Sequence, residues 1–462
     1  MNIDNLVTNH NDELSNNKNL KVYGVILALL LLSVSSARAD VNDIDVNDIT
    51  ILFPLPKEMA DLDKLITIES LENLQGVSVL PANDLTNILS VAETVAVRNR
   101  RIKLKPIIKE VDAWKIAGIR FDPSAPGGSQ NMISSFGSMP QIRLVIQPVT
   151  FDGALEVHDV AVHIIYDYVE ERIAGEAGTI SKGVPDSQKT KDIVEGLLAL
   201  KSVCEEAGID TNVPLNVHPC LGSDVAGFSN EVEEFLRKHL DHKRFNTGAV
   251  MALHNGGPEP WLFFSIQRDA DSGQFTPIPS PGLAPFTDPE PKITQMVSFI
   301  DSPKVQPVPS TTNLLPINSS VVIPVSQRRG VSTAPLFTNS IPLTSPAEIG
   351  IDESGNSVFD DEIKNSDVAD IIANPTLSHF FNTDCVSCHT ETTRRFIREI
   401  PESSFAFKVP EGISGLSEEV SPKNDWNVRN LGWFRSKNTI SLRTANESAE
   451  AVEFIRNEFG EE

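Results

Sequence analysis

Between about residues 97 and 175 the chain repeats short β-rich runs: AWKIAGIRF (113–121), QIRLVIQPV (141–149) and DVAVHIIYDYV (159–169). Turn-forming material such as DPSAPGGSQN separates them, which predicts an antiparallel sheet or sandwich. His158 and His163 are five positions apart in this block. An odd spacing puts them on opposite faces of a strand, so they make poor partners for one metal.

The period then lengthens. In KDIVEGLLALKSVCEEAG, apolar Ile193, Val194, Leu197, Leu198 and Cys204 mark one side of a helix that stops near Gly208. SNEVEEFLRKHLDHKRF predicts a second helix, capped by Ser229, with Val232, Phe235, Leu236 and Leu240 inward. His239 and His242 share a helical face at metal-binding spacing, but no third ligand is near and they read as surface histidines. GAVMALHNGGPEPWLFFSIQ (248–267) reads as two strands around Asn255-Gly256-Gly257-Pro258. At the other end of this block, DVNDIDVNDITILFPLP runs from a duplicated acidic segment, expected to be solvated and frayed, into a strand.

From Thr276 the sequence TPIPSPGLAPFTDPEPK is dense in proline, and apolar fragments separated by Ser and Pro continue to about 350. This is the composition of a linker or an extended strap. DESGNSVFDDE (352–362) lacks the glycine and glutamate offsets of a calcium loop and reads as an acidic loop. Helical patterning returns with Val368, Ile371 and Ile372. It ends in TANESAEAVEFIRNEF, where Thr444 and Glu447 stand in capping-box positions and Val452, Ile455 and Phe459 form a stripe. The expected organisation is an α+β domain at 40–275 (an antiparallel sheet with two helices), a Pro/Ser-rich region at 276–350, and a mainly α domain at 351–462.

Residues 1–39 change the setting of these domains. Lys18 and Lys21 precede VYGVILALLLLSV, and Ala37-Arg38-Ala39 follows. That is a secretory signal pattern, too short in its apolar part for a membrane span, so export to the periplasm or beyond is expected, with no stable span after cleavage. Removing it takes away three charges of each sign, and the net charge stays at -24. Such a field repels nucleic acid and anionic lipid and favours basic protein partners. In an exported chain the four cysteines divide into a disulfide candidate, Cys204 with Cys220, and the close pair Cys385 and Cys388.

The chain has no G-x-S-x-G elbow, phosphate-binding loop, H-E-x-x-H or G-x-G-x-x-G helix start. It does contain Cys385-Val386-Ser387-Cys388-His389. Two thiols at this spacing form thioethers to the haem vinyl groups, and the adjacent imidazole ligates the iron. Two rivals lack something. A zinc site wants four ligands and a thioredoxin-type dithiol wants a βαβ unit around its C-x-x-C, while a plain structural disulfide loop stays open beside haem attachment.

On these residues the segment from about 366 to 462 resembles the c-type cytochromes. It also has their order of a helix before the motif, an irregular middle and an amphipathic C-terminal helix. The rest of the chain is similar to large exported bacterial proteins and adds no mechanism. The resemblance implies a cytochrome c-like fold for the C-terminal domain, one covalent haem c on Cys385 and Cys388, His389 as proximal ligand, and electron transfer to a redox partner protein.

It also exposes a departure, because no Met or His follows His389 to serve as sixth ligand. His379, His254, Met296, or a Lys or Asn of the tail are candidates. A five-coordinate iron would instead suit a peroxidase-like enzyme. Arg394 and Arg395 are candidates for the propionates, and Trp426 and Trp433 for the macrocycle edge or for the core. A third function class, an extracytoplasmic binding module with an ancillary haem, stays open.

Overall fold

The computed structural model describes residues 39–278 and 365–460, apart from 95, 98–99, 102–103, 125–137, 174–181, 254–260, 270–271, 378–384, 398, 424–426 and 428. Residues 1–38, nearly all of the 276–350 region, residues 352–362 and 255–258, His254, Met296, His379 and Trp426 lie outside the described residues, so the expectations placed on them do too.

The β-rich runs form one antiparallel sheet of eight strands. These are β1 (Thr50–Leu52), β2 (Trp114–Asp122), β3 (Gln141–Phe151), β4 (Leu155–Val157), β5 (Val160–Asp167), β6 (Phe245–Leu253), β7 (Trp261–Arg268) and β8 (Phe275–Ile278). Their order is β1-β2-β3-β5-β6-β7-β8, with β4 paired on β3. Between β5 and β6 the chain leaves to make α2 (Ser187–Glu206) and α3 (Phe228–His239); α1 (Ala82–Thr94), which the sequence reading did not assign, comes earlier.

Period-two alternation gives the sheet two unlike faces. Ile142, Leu144 and Ile146 of β3 and Val162, Ile164 and Tyr166 of β5 are fully buried on one of them, where Tyr166 Oη donates to Val79 O at 2.9 Å. The other carries Gln141, Arg143, Val145 and Gln147 of β3, with Arg120 of β2 opposite Arg143 and His163 of β5 opposite Val145.

This polar face is covered by the C-terminal elements: α4 (Asn365–Ala373), α5 (Cys385–Ile397), the hairpin β9 (Leu431–Phe434) with β10 (Lys437–Ile440), and α6 (Leu442–Phe459). The hairpin packs on β2 and β3, α6 on β2, and α5 on β7. Gln147 Nε2 donates to Trp433 O at 2.9 Å and its Oε1 accepts from Trp433 N at 2.6 Å. Only glycine suits position 432, with φ of +126° and with any Cβ brought to 2.3 Å from Gln147 Oε1. Apolar residues of both halves of the chain therefore share one core, from Ile44 and Phe53 to Val452 and Ile455. Asn42 Nδ2 also donates to Gly460 O at 3.4 Å, so the two ends of the described chain meet.

Several local expectations are corrected. The second Asp-Val-Asn-Asp is buried, because Asp48 accepts from Lys201 Nζ at 3.0 Å and Asn47 Nδ2 donates to Thr211 O and Val213 O. Gly227, at φ of 82°, precedes α3, and Ser229 Oγ donates to Lys64 O in place of capping the helix. Ser441 caps α6 by accepting from Thr444 N, which frees Glu447 for buried ion pairs. His239 is a core residue, only 2% exposed, and packs on Phe235.

Cys204 on α2 and Cys220 lie within bonding distance, at 2.08 Å between sulfurs. Their sequence separation of 16 closes a loop whose restriction in the unfolded chain stabilises by about 3 kcal/mol. Cys204→Ala/Cys220→Ala is expected to lower the urea midpoint accordingly, and reductant should then leave the variant's midpoint unchanged.

Candidate haem-attachment site

α5 begins at Cys385, so the linear motif becomes its first turn. Cys388 and His389 follow three and four positions later, which places them on the same side of the helix as Cys385. The next turn fixes the helix in place. Thr392 Oγ1 accepts from Leu442 N at the start of α6 at 2.9 Å, and Thr393 Oγ1 donates to Asn427 O. Arg395 Nε donates to the buried Glu391 at 2.9 Å and Nη2 to Asp370 of α4. Arg395 thus pairs with two carboxylates, while its Nη1 has no hydrogen-bond partner. Within α5 nothing is described of the side chains of Cys385 and Arg394.

Cys388 Sγ lies 3.8 Å from Asn430 Nδ2, and burial pushes its thiol up to about 11. An activated dithiol needs a shift in the opposite direction, toward the thiolate. The His389 ring reaches the sheet, with its centroid 6.4 Å from that of His163 and the planes at 69°. His163 is buried at the centre of the sheet, between Val145 of β3 and Ala249 of β6. Its Nε2 has no hydrogen-bond partner. Burial, reinforced by Arg143, His389, Arg429 and Arg120, holds His163 neutral far below the ordinary histidine range.

Buried arginines surround this pair unevenly. Arg120 pairs with Asp122 at 3.0 Å and with Glu447, which also accepts from Arg443 at 2.8 Å. Arg143 Nε and both terminal nitrogens of Arg429 have no acceptor, although Arg429 Nε donates to Trp433 O at 3.1 Å. Burial pulls the Arg429 guanidinium down to about 10, with Asp159 its opposing charge. A buried cation without a bound acceptor is costly, and an anionic group brought to it would relieve that cost.

These features fit a covalently held haem: thiols and an imidazole on one helical turn, an unpartnered imidazole nitrogen beside them, and unsatisfied guanidinium donors nearby. Trp433 takes the core role, fully buried with Nε1 donating to Phe53 O at 2.9 Å. The sequence reading did not connect His163 to the motif. The available signal was its place on a strand among alternate polar positions such as Arg143, a pattern it shares with any half-exposed sheet.

A second sulfur group is less suited to a ligand. Cys204, His218 and Cys220 bring their donor atoms within 4.8 Å of one another. With the sulfurs bonded together, no thiolate is left for a metal, and a structural zinc wants four ligands. Among the described residues no helix is long and apolar enough to cross a membrane. No family model, curated protein or solved structure matches the chain.

Proposed function

We propose that this chain is an exported c-type haem protein that carries one haem and passes electrons to and from a partner protein. The observation that carries the reading is the Cys385-x-x-Cys388-His389 turn, which opens a helix docked against a buried histidine whose Nε2 has no hydrogen-bond partner. Cys385 and Cys388 hold the group by thioethers, His389 is the proximal ligand, and Arg143 and Arg429 supply donors for the propionates. Bound haem supplies a one-electron couple between Fe(III) and Fe(II). The protein fixes His389 through the contacts of α5 with α4 and α6 and keeps bulk water from the ring by laying it against the sheet. A net charge of -24 steers a basic partner toward the surface. In this reading the C-terminal elements form a haem-binding module that shares its core with the sheet.

The test is expression of the full chain alongside a cytochrome maturation system, followed by a haem stain on a denaturing gel. The wild-type band is expected to stain, and Cys385→Ala/Cys388→Ala is expected to lose the stain entirely. An unstained wild-type band overturns the proposal.

A further inference from the structure

The sequence leaves the second axial position of the iron unassigned, since neither Met nor His follows His389. We propose that His163 of β5 is the second axial ligand, so that one iron is held between an imidazole of the sheet and an imidazole of α5. This rests on the haem reading above.

Three observations carry it. The first is distance: metal–imidazole bonds of about 2.0 Å on either side of one ion place the two ring centroids roughly 6 Å apart, and the His163 and His389 centroids are 6.4 Å apart. The second is the orphaned His163 Nε2, a buried acceptor or donor with nothing to bond. Buried polar atoms are seldom left so, and a metal ligand is one of the accepted reasons. The third concerns the competing histidines. His158 Nε2 is engaged with Thr150 Oγ1 at 2.7 Å, His218 stacks on Phe228, and His239 packs on Phe235. Among the described residues, His163 is the histidine that faces His389.

The placement is also rigid. β5 is paired on both sides, with Val145 on one and Ala249 on the other, so His163 is presented by a central strand and needs no loop to close. Ligation from both sides gives a six-coordinate iron suited to moving electrons with little rearrangement, and it denies the iron to peroxide. It further implies that the haem ties α5 to the sheet across a long stretch of sequence.

Optical and electron paramagnetic resonance spectra of the full-length holoprotein test this, with the haem stain run in parallel. The wild type is expected to be low-spin in the ferric state and unchanged by cyanide. His163→Ala is expected to keep its covalent stain but to turn high-spin and to bind cyanide, and added imidazole should restore the low-spin spectrum. His163→Met, which keeps a ligand and a bulky side chain, is expected to remain low-spin with a new sulfur-to-iron charge-transfer band. A high-spin wild type, or a His163→Met spectrum identical to wild type, overturns the assignment while the stain leaves the haem reading intact. Loss of the stain in the wild type overturns both.

Discussion

Glu447→Gln is expected to destabilise the protein by about 3–5 kcal/mol, the cost of removing one partner from a buried ion pair. Glu447 joins Arg120 of β2 to Arg443 of α6, and the arginines around it hold its carboxyl down at about 2. Glutamine keeps the shape but removes the carboxylate charge from between Arg120 and Arg443, and Arg443 is held in place, since its Nη1 also donates to Ile372 O and Asn374 O at the end of α4. Arg120 retains Asp122. The comparison that isolates charge from packing is Glu447→Leu/Arg443→Met, which removes a whole pair. It should recover most of the loss, because a buried pair replaced by apolar side chains of similar volume is often neutral. Urea unfolding of the three proteins measures this. A glutamine variant within 1 kcal/mol of wild type would show that the cluster is hydrated.

His239→Leu is expected to stabilise the protein increasingly as pH falls. Burial, assisted by Lys189 and Lys238, holds His239 down to about 3, and neither ring nitrogen has a partner. The unfolded chain takes up a proton below pH 6.5 that the folded chain refuses until about pH 3, so the native state loses stability across that window as pH falls. The slope is about 1.4 kcal/mol per pH unit. Other groups, including Glu450, which burial raises to about 8, titrate with the opposite effect, so the difference between wild type and variant is the informative quantity. Near pH 7 the two should unfold at similar urea concentrations, whereas at pH 4 the leucine variant should be more stable by about 3 kcal/mol. A difference that stays flat from pH 7 to 4 would mean that His239 is charged in the fold.

Both predictions concern residues whose setting a linear reading could not supply. The runs at 113–121, 141–149 and 159–169 are legible as strands because their composition alone argues for a pleated, half-buried surface. Their faces are less so: Gln141, Arg143 and Gln147 at alternate positions look like the solvent side of a sheet. Gln141 and Gln147 are buried and Arg143 is half-buried, and Trp433, far downstream, closes over Gln147. Asp48 reads as a frayed acidic start until Lys201 is placed against it, and His239 reads as exposed until the sheet and α2 close over it. The Cys385-x-x-Cys388-His389 motif is legible because its spacing is local, within one helical turn. His163 is not, because its relation to His389 depends on strand register and on the docking of α5.

The coverage of the polar face by α6 and the β9–β10 hairpin has a consequence for the order of folding. Synthesis delivers β1 to β8 first, yet Arg120, Arg143 and His163 stay unshielded until residues 431–459 have been made. Contacts of such sequence separation carry a large loop-closure cost and form late. A fragment that stops before β9 therefore leaves one face of the sheet uncovered and is expected to be less stable than the full chain. The last helix made completes the structure that the first strands began.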